Sequence, residues 1–405
     1  MMFYSVILLC TCFVSFSQAW FENCDLKYDV TGSTSKILVN ANYPGYYPSG
    51  SSCKWQISAP TGYFVQLHCV YNLTTYPTEC PSQRLYVSRD ADPNLDNSEF
   101  FCGYSEFTKE SFGNDITFGY TSNFDGNGWF YCEAKAVLRT HENCHCGWSR
   151  TGRIIGGSYA LPNEFISMVG IVDVSDQNNV NGPIFCGGAI ISENFVLTAA
   201  HCFNVYRPVS VIFSLVGDHD ISRGDDTPYA ELYETQKIII NNNYIPESDD
   251  QNSDIALIQT ARSIKWKRTI GPACLPYPYF SYDTYFDGYP VIALGWGSTE
   301  FAGPSSSILK KTSLYVVDSD SCNDIYGDIN SGKICTHAQG TDTCQRDSGG
   351  SLYWTYGGNQ FTIGIVSYGL DCASKYPAVN TRVTNYITWI EQQAPGAFFC
   401  KKYFF

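Results

Sequence analysis

The cysteine content constrains this 405-residue chain more than any other feature of its sequence. There are 18 cysteines, and Cys10 and Cys12 lie in an apolar amino-terminal run, which leaves 16 for the rest. An even number of cysteines in an exported protein predicts a disulfide framework. Zinc is the alternative at Cys144-His145-Cys146, but a second pair of ligands at suitable spacing is missing from the sequence, so we expect no metal there.

The amino-terminal run predicts export. Residues 1–19 combine the apolar stretch 6–16 with Ser17-Gln18-Ala19, which has the small-x-small form of a signal-peptide cleavage site. No later segment has 18 consecutive apolar residues. We therefore expect a secreted, extracellular protein without a membrane span.

The composition indicates folded, β-rich domains with an acidic surface. The length allows two or three domains, and 30 Tyr with 25 Phe favour strands over helices. The formal net charge of −14 should repel nucleic acid and anionic membranes. The acidic balance otherwise serves solubility, so it does not identify a partner.

The stretch 344–350 predicts a nucleophilic serine. Glycines follow Ser348 and permit a tight turn, while Asp347 can anchor the loop to a buried cation. A serine nucleophile needs a nearby base and donors for the oxyanion. The segment 197–202 supplies His201 and the segment 252–258 supplies Asp254, giving the order His, Asp, Ser.

Residues 154–395 resemble a chymotrypsin/trypsin-like serine protease. The resemblance rests on six motifs in family order, namely Ile154-Ile155-Gly156-Gly157, Thr198-Ala199-Ala200-His201-Cys202, Asp254-Ile255-Ala256-Leu257, Gly295-Trp296-Gly297, Asp347-Ser348-Gly349-Gly350 and Ser367-Tyr368-Gly369. It implies a double antiparallel β-barrel with a short C-terminal helix. It also implies that His201, Asp254 and Ser348 act through an acyl-enzyme, with backbone N–H groups of Arg346 and Ser348 as oxyanion donors.

The same resemblance implies a substrate pocket for a basic side chain. Asp342 stands where trypsin-like members carry an acid at the pocket base, and Ser367, Gly369 and Ala378 are the other pocket residues. The resemblance therefore implies cleavage of peptide bonds after Arg or Lys.

Several positions depart from the family pattern. Ala378 replaces a glycine, Asn380 replaces a tyrosine, and Ser351 replaces a proline. Arg346 occupies the position of the family's oxyanion glycine, and a side chain restricts the backbone there.

Residues 137–153 form the predicted linker and activation segment. The family resemblance implies that cleavage after Arg153 frees the Ile154 ammonium to pair with Asp347, a switch that is credible because either buried charge alone is costly. An activating protease is therefore an expected partner, together with extracellular protein substrates and protein inhibitors.

Residues 20–136 contain Cys24, Asn42-Tyr43-Pro44, Cys53-Lys54-Trp55 and the later pair Cys80 and Cys102. This arrangement resembles a CUB domain, and short alternating segments between turn residues predict a β-sandwich. Predicted strands lie at 53–57, 62–67, 84–87 and 115–118. Gln83 and Asn123 stand where an acidic calcium cluster is expected, so we expect no calcium here. Asn72-Leu73-Thr74 predicts N-glycosylation in a surface loop.

The family resemblances also imply a set of disulfide pairs. These are Cys24–Cys53, Cys80–Cys102, Cys146–Cys274, Cys186–Cys202, Cys322–Cys335 and Cys344–Cys372. Cys69 can pair with Cys132 because both end predicted strands, and Cys144 and Cys400 remain for each other, although sequence alone leaves pairing open. The last bridge would hold the tail 396–405 in place.

Two functions remain open at this stage. The first is a secreted zymogen protease, with a two-domain layout similar to CUB proteases of arthropod venom and haemolymph. The alternative is a catalytically weakened homologue that binds a partner through its CUB domain and protease surface, which Arg346 favours. We expect no cofactor, although Asp218, Asp225 and Asp226 lie in a loop that holds calcium in some relatives.

Overall fold

The described part of the computed structural model forms two compact units that consist mostly of β-strands. It comprises residues 24–73, 83–122, 128–149, 158–175, 184–224, 226–227, 229–246, 252–278, 285–297, 306–327, 329–338, 347–369 and 376–404. The second unit starts at Val137 and also takes in Pro60–Phe64 and Phe112–Asn114. Within these ranges, no helix has the length and apolar character needed to cross a membrane.

The amino-terminal unit contains two sheets. The strands of the first, in spatial order, are β1 (Asp25–Asp29), β3 (Ser52–Ser58), β8 (Asp115–Ser122), β5 (Gln83–Ser88) and β6 (Glu99–Phe101). The strands of the second are β2 (Ser35–Val39), β9 (Gly128–Leu138), β4 (Tyr63–Leu73) and β7 (Gly103–Glu110). Strands β3, β5 and β8 contain the segments predicted from alternation at 53–57, 84–87 and 115–118, and β4 begins one residue after the start of the segment predicted at 62–67.

Aromatic side chains join the two sheets. Exposure alternates along β3 and β9, so each strand turns one face inward. Phe130 on β9 meets Trp55 and Phe118 of the other sheet, with ring centroids 5.9 and 5.5 Å apart. The unit is therefore the expected β-sandwich.

Disulfides brace this sandwich. Cys24 is bonded to Cys53, and Cys69 on β4 is bonded to Cys132 on the neighbouring strand β9. Cys102 is disulfide-bonded, while its expected partner Cys80 lies outside the described residues.

The carboxy-terminal unit contains two barrels. The first closes in the order β11 (Met168–Asp173), β12 (Ile184–Ile190), β13 (Phe195–Thr198), β16 (Ala256–Thr260), β15 (Glu231–Ile240) and β14 (Ile212–Val216). The second sheet runs β10 (Ser158–Tyr159), β19 (Lys310–Val317), β18 (Pro290–Gly295), β21 (Ser351–Tyr356), β22 (Asn359–Tyr368), β23 (Ala378–Arg382) and β20 (Lys333–His337). A further pairing of β19 with β20 closes six of these strands into a ring, with β10 outside it.

Short helices and a terminal strand complete the unit. The helices are α1 (Ser319–Tyr326) and the expected C-terminal α2 (Ile387–Gln393), and short 3-10 turns span Ala200–Phe203, Val209–Val211 and Val383–Tyr386. The tail forms β24 (Lys401–Phe404), which pairs in parallel with β17 (Leu275–Pro278). The tail is thus docked as predicted, but its strand was not predicted.

Four disulfides are described in this unit. Cys186 is bonded to Cys202 and Cys322 to Cys335, within the barrels. Two others link the segment after the sandwich to the barrels, namely Cys144–Cys400 and Cys146–Cys274. Cys344 and Cys372 lie outside the described residues.

Candidate active site

His201 is fixed at the end of the first barrel's β12–β13 hairpin. Strands β12 and β13 pair antiparallel as predicted, and His201 follows in the 3-10 turn Ala200–Phe203. The adjacent Cys202 is tied back to Cys186 on β12. The imidazole therefore projects from a turn that is hydrogen-bonded and covalently braced.

Asp254 orients this histidine from two directions. Its Oδ1 accepts the backbone N–H of His201 at 2.8 Å, and its Oδ2 lies 2.7 Å from His201 Nδ1. A carboxylate can only accept here, so Nδ1 carries the proton and Nε2 is left as the basic nitrogen. One side chain thus sets both the position and the tautomer of the imidazole.

Asp254 is fully buried, at 0% exposure, and also bonds to the second barrel. The Ser367 hydroxyl on β22 donates to its Oδ2, and the Thr381 hydroxyl on β23 donates to its backbone carbonyl at 2.7 Å. Hydrogen bonds compensate a buried carboxylate for lost hydration. Ser367 was predicted as a pocket residue, whereas Thr381 carries no motif that would have revealed its role.

Ser348 lies in a glycine turn pressed against the same hairpin. Its carbonyl accepts the N–H of Gly187 at 2.8 Å and lies 3.9 Å from Cys202 Sγ. Gly349 has φ +77°, and a Cβ there would lie 2.4 Å from Thr198 Oγ1. Only glycine permits this approach. The turn therefore brings Ser348 next to the residues that flank His201.

Asp347 rests on the Gly295-Trp296-Gly297 motif. Its Oδ1 accepts the N–H of Gly297 at 3.0 Å, and a Cβ on Gly295 would lie only 1.8 Å from the same oxygen. The glycines thus make room for the carboxylate. Its expected partner Ile154, with Arg153, lies outside the described residues.

The described wall of the predicted pocket contains Gly369 and Ala378. A Cβ on Gly369 would lie 3.7 Å from the Ala378 Cβ, so the two positions face each other. Asn380 is buried, and its Nδ2 donates to Thr336 Oγ1 at 3.0 Å and to the Ile334 carbonyl at 3.2 Å. Asp342 and Arg346 lie outside the described residues, so the charged pocket base and one oxyanion donor remain predictions.

The acidic loop between β14 and β15 places two carboxylates together. Burial and, as the next cause, the nearby charge of Asp226 raise the pKa of Asp218 to about 6. The Oδ1 atoms of Asp218 and Asp226 are both buried without a hydrogen-bond partner among the described residues. These oxygens are suitable donors for calcium, but two carboxylates fall short of the six to eight ligands that calcium takes. Asp225 lies outside the described residues.

Two predictions for the sandwich can be compared with the structure. Asn72 was expected in a loop, but this was wrong, because β4 continues through it and pairs it with Tyr104. Its glycosylation stays a prediction, since Thr74 lies outside the described residues. Gln83 is buried and accepts a hydrogen bond from Tyr47, so this position holds a neutral pair, while Asn123 is not described.

Comparisons with known proteins agree with this architecture. The model of the trypsin family matches residues 154–390, and that of the CUB domain matches residues 24–130. Venom serine protease 34 of Apis mellifera is 37% identical over 393 residues, covering 95% of this chain and 91% of that protein. A venom serine protease of Polistes dominula is 33% identical over 64% of this chain and 92% of its own length.

A third relative is named as a clotting factor subunit. The clotting factor G beta subunit of Tachypleus tridentatus is 32% identical over 63% of this chain and 84% of its own length. The chain therefore belongs to the trypsin family of serine proteases and carries a CUB domain ahead of the protease domain.

Proposed function

We propose that this protein is a secreted zymogen of a serine endopeptidase, which cleavage between Arg153 and Ile154 activates to hydrolyse extracellular proteins after Arg or Lys. The observation that carries the proposal is the Asp254 carboxylate, which holds the backbone and ring of His201 beside the Ser348 turn. The predicted export signal, together with relatives named as a venom serine protease and a clotting factor subunit, supports an extracellular setting.

Each proposed step uses one group of this site. His201 Nε2 takes the proton of the Ser348 hydroxyl as Oγ attacks the scissile carbonyl carbon, and Asp254 stabilises the resulting imidazolium. The backbone N–H groups of Arg346 and Ser348 are the proposed donors to the oxyanion. His201 then protonates the leaving amine, and a water deprotonated by the same nitrogen hydrolyses the acyl-enzyme.

The proposed cleavage would not release the sandwich. Cys144 and Cys146 both precede Arg153, and they are bonded to Cys400 and Cys274 of the catalytic chain. The activated enzyme would thus keep its CUB domain through two bridges, and reduction should be required to separate the chains.

Titration with a phosphonate that carries arginine at the specificity position tests this function. The cleaved protein should incorporate the reagent stoichiometrically, whereas Ser348→Ala should incorporate none. Arg153→Gln should be secreted but remain uncleaved and inactive, because without cleavage no Ile154 ammonium is available to pair with Asp347. Full activity of uncleaved Arg153→Gln would contradict the activation step.

The same titration separates the alternative function. Arg346 favours a weakened homologue that acts by binding, because a side chain limits the backbone at an oxyanion donor. Loss of one such donor costs on the order of a hundredfold or more in turnover. The binding alternative would be supported if the cleaved parent takes up no phosphonate and the turnover of cleaved Arg346→Gly is at least a hundredfold higher than that of the parent. If the parent is active, Asp342→Ser should remove the preference for Arg and Lys.

A further inference from the structure

A buried ion pair lies in the second barrel, apart from the triad. Lys311 Nζ is 2.8 and 2.9 Å from the two carboxylate oxygens of Glu164, and their side chains are 9% and 3% exposed. Glu164 Oε2 also accepts the backbone N–H of Leu161 at 2.8 Å. Removing one partner of such a pair leaves an uncompensated buried charge, so the two side chains are strongly coupled.

The pair closes a loop onto strand β19. Lys311 lies opposite Ser158 in the β10–β19 ladder, and its ammonium reaches Glu164 farther along the same segment. The N–H of Ala160 also donates to the Leu309 carbonyl at 2.9 Å. Because β10 contains only two residues, its own ladder is too short to fix the segment. The ion pair supplies a second attachment.

This segment adjoins the row of the sheet that supports Asp347. Tyr159 pairs with Lys310, and Lys310 pairs in turn with Gly295 on β18. Gly295 is the residue that the Asp347 carboxylate touches, and Gly297 donates to that carboxylate. The first described residues after the Arg153–Ile154 bond are therefore linked, through two strand pairings, to the glycine that lies against Asp347, the acid that the new amino terminus is proposed to reach.

We infer that Glu164 and Lys311 are positioning residues for zymogen activation. By fastening residues 158–164 to β19, they limit where the Ile154 ammonium can travel and favour its pairing with Asp347. The inference rests on the proposed function, since it assumes cleavage after Arg153. It assigns no contact with substrate to either residue.

Carbamylation of the new amino terminus by cyanate tests this role. Cleaved parent and Glu164→Gln are treated with cyanate, and modification of Ile154 is followed by mass spectrometry. If the anchor acts as inferred, Glu164→Gln should react about tenfold faster, because an uncompensated Lys311 charge favours release of the segment. The fraction of cleaved molecules that takes up phosphonate should fall as well, while KM of the remaining active fraction stays unchanged.

A matched control distinguishes positioning from a general loss of charge. Glu231 pairs with Arg262 at 2.7 Å on the first barrel, with both side chains at least 43% exposed. Glu231→Gln should leave cyanate reactivity and titration unchanged, since exposed pairs contribute little. The exchanged pair Glu164→Lys with Lys311→Glu should restore much of the protection.

The outcomes are separable from those of the proposed function. Cyanate labelling needs no turnover, so a cleaved parent with a protected Ile154 but no phosphonate uptake would count against catalysis alone. A secreted Glu164→Gln with parental labelling and titration would overturn the anchor. If Glu164→Gln is not secreted, the exchanged pair decides, because labelling as fast as that of a freely exposed amine would likewise overturn it.

Discussion

The two barrels of the protease domain contribute to the site in different ways. The first barrel closes from six strands of one continuous stretch, β11 to β16, and it holds His201 and Asp254 in described hydrogen bonds. The second barrel also closes from consecutive strands, β18 to β23, and it carries Ser348 and the predicted pocket wall, but two further pieces of the chain pair with strands of its ring. One is β10, which pairs with β19. The other is the β17–β24 pair, which is attached through a β-bridge between Cys274 and Phe361 on β22.

This difference indicates where control over activity can act. The first barrel, to which no further strand is added among the described residues, has its part of the site in place once it folds. The second barrel depends on the segment that follows Arg153 and on a covalently held tail. The proposed proteolysis at Arg153 would therefore act on the second barrel. Substitutions in the two barrels should consequently impair different properties of the protein.

The largest expected effect lies in the first barrel. Asp254→Asn keeps the size of the side chain but replaces an acceptor by an amide, which favours the wrong histidine tautomer. We expect turnover of a peptide ester to fall by about 10⁴-fold with nearly unchanged KM. Steady-state kinetics on cleaved protein check this. A loss below tenfold would show that the hydrogen bonds of Asp254 are dispensable and that the first barrel does not set the orientation of His201.

Residues near the triad show what could be predicted from sequence. Six motifs in order predicted His201, Asp254 and Ser348 as the catalytic residues, which stays a prediction, and alternation located strands such as β3 and β8. Local patterns carry this information because strand period and tight turns depend on neighbouring residues. The barrels themselves came from family resemblance rather than from periodicity.

Contacts between distant residues could not be predicted in this way. Glu164 and Lys311 are separated by 147 positions, and the partner strand of β24 is set by tertiary packing. Asn72 was misplaced because its glycosylation motif suggested a surface loop, whereas pairing with β7 extends the strand. Each case depends on a partner that the local sequence does not specify.

The second prediction concerns the tail strand β24, which pairs with β17 next to the second barrel. Phe404 is 2% exposed and packs against Phe286, Trp354 and Phe361, whereas Tyr403 is 52% exposed. Phe404→Ala should lower the free energy of unfolding by about 3 kcal/mol through the cavity it leaves. Urea unfolding followed by tryptophan fluorescence measures this loss. Tyr403→Ala is the matched control and should have a small effect.

Turnover completes this second test. Because the tail contacts no triad residue among the described contacts, kcat of Phe404→Ala should stay near the parental value at low temperature. A stability loss as large in Tyr403→Ala would mean that the strand ladder, rather than the buried ring, holds the tail. A large fall in kcat would show that the tail shapes the site directly.

The third prediction, with the smallest effect, concerns a carboxylate of the first barrel whose burial is poorly compensated by hydrogen bonds. Unlike Asp254, Asp218 has a buried oxygen without a hydrogen-bond partner among the described residues, and burial raises its pKa to about 6, with the Asp226 charge as the next cause. The folded state therefore holds this proton more tightly than the unfolded state, whose carboxyl has the ordinary value of 3.8. The free energy of unfolding should fall as pH rises from about 4 to about 6, and this contribution should stay constant above that range.

Asp218→Asn should abolish this pH dependence and stabilise the protein at pH 7.5. We expect a gain of at most about 1 kcal/mol, since the side chain is partly exposed and water screens its charge. Urea unfolding in a chelator, so that no cation neutralises the loop, provides the measurement. Asp220→Asn is the control of opposite sign, because a hydrogen bond from Ser222 lowers the pKa of Asp220 and its contribution is lost as pH falls. If Asp218→Asn destabilises the protein at pH 7.5, the carboxylate is compensated after all, and the first barrel carries no unfavourable charge in this loop.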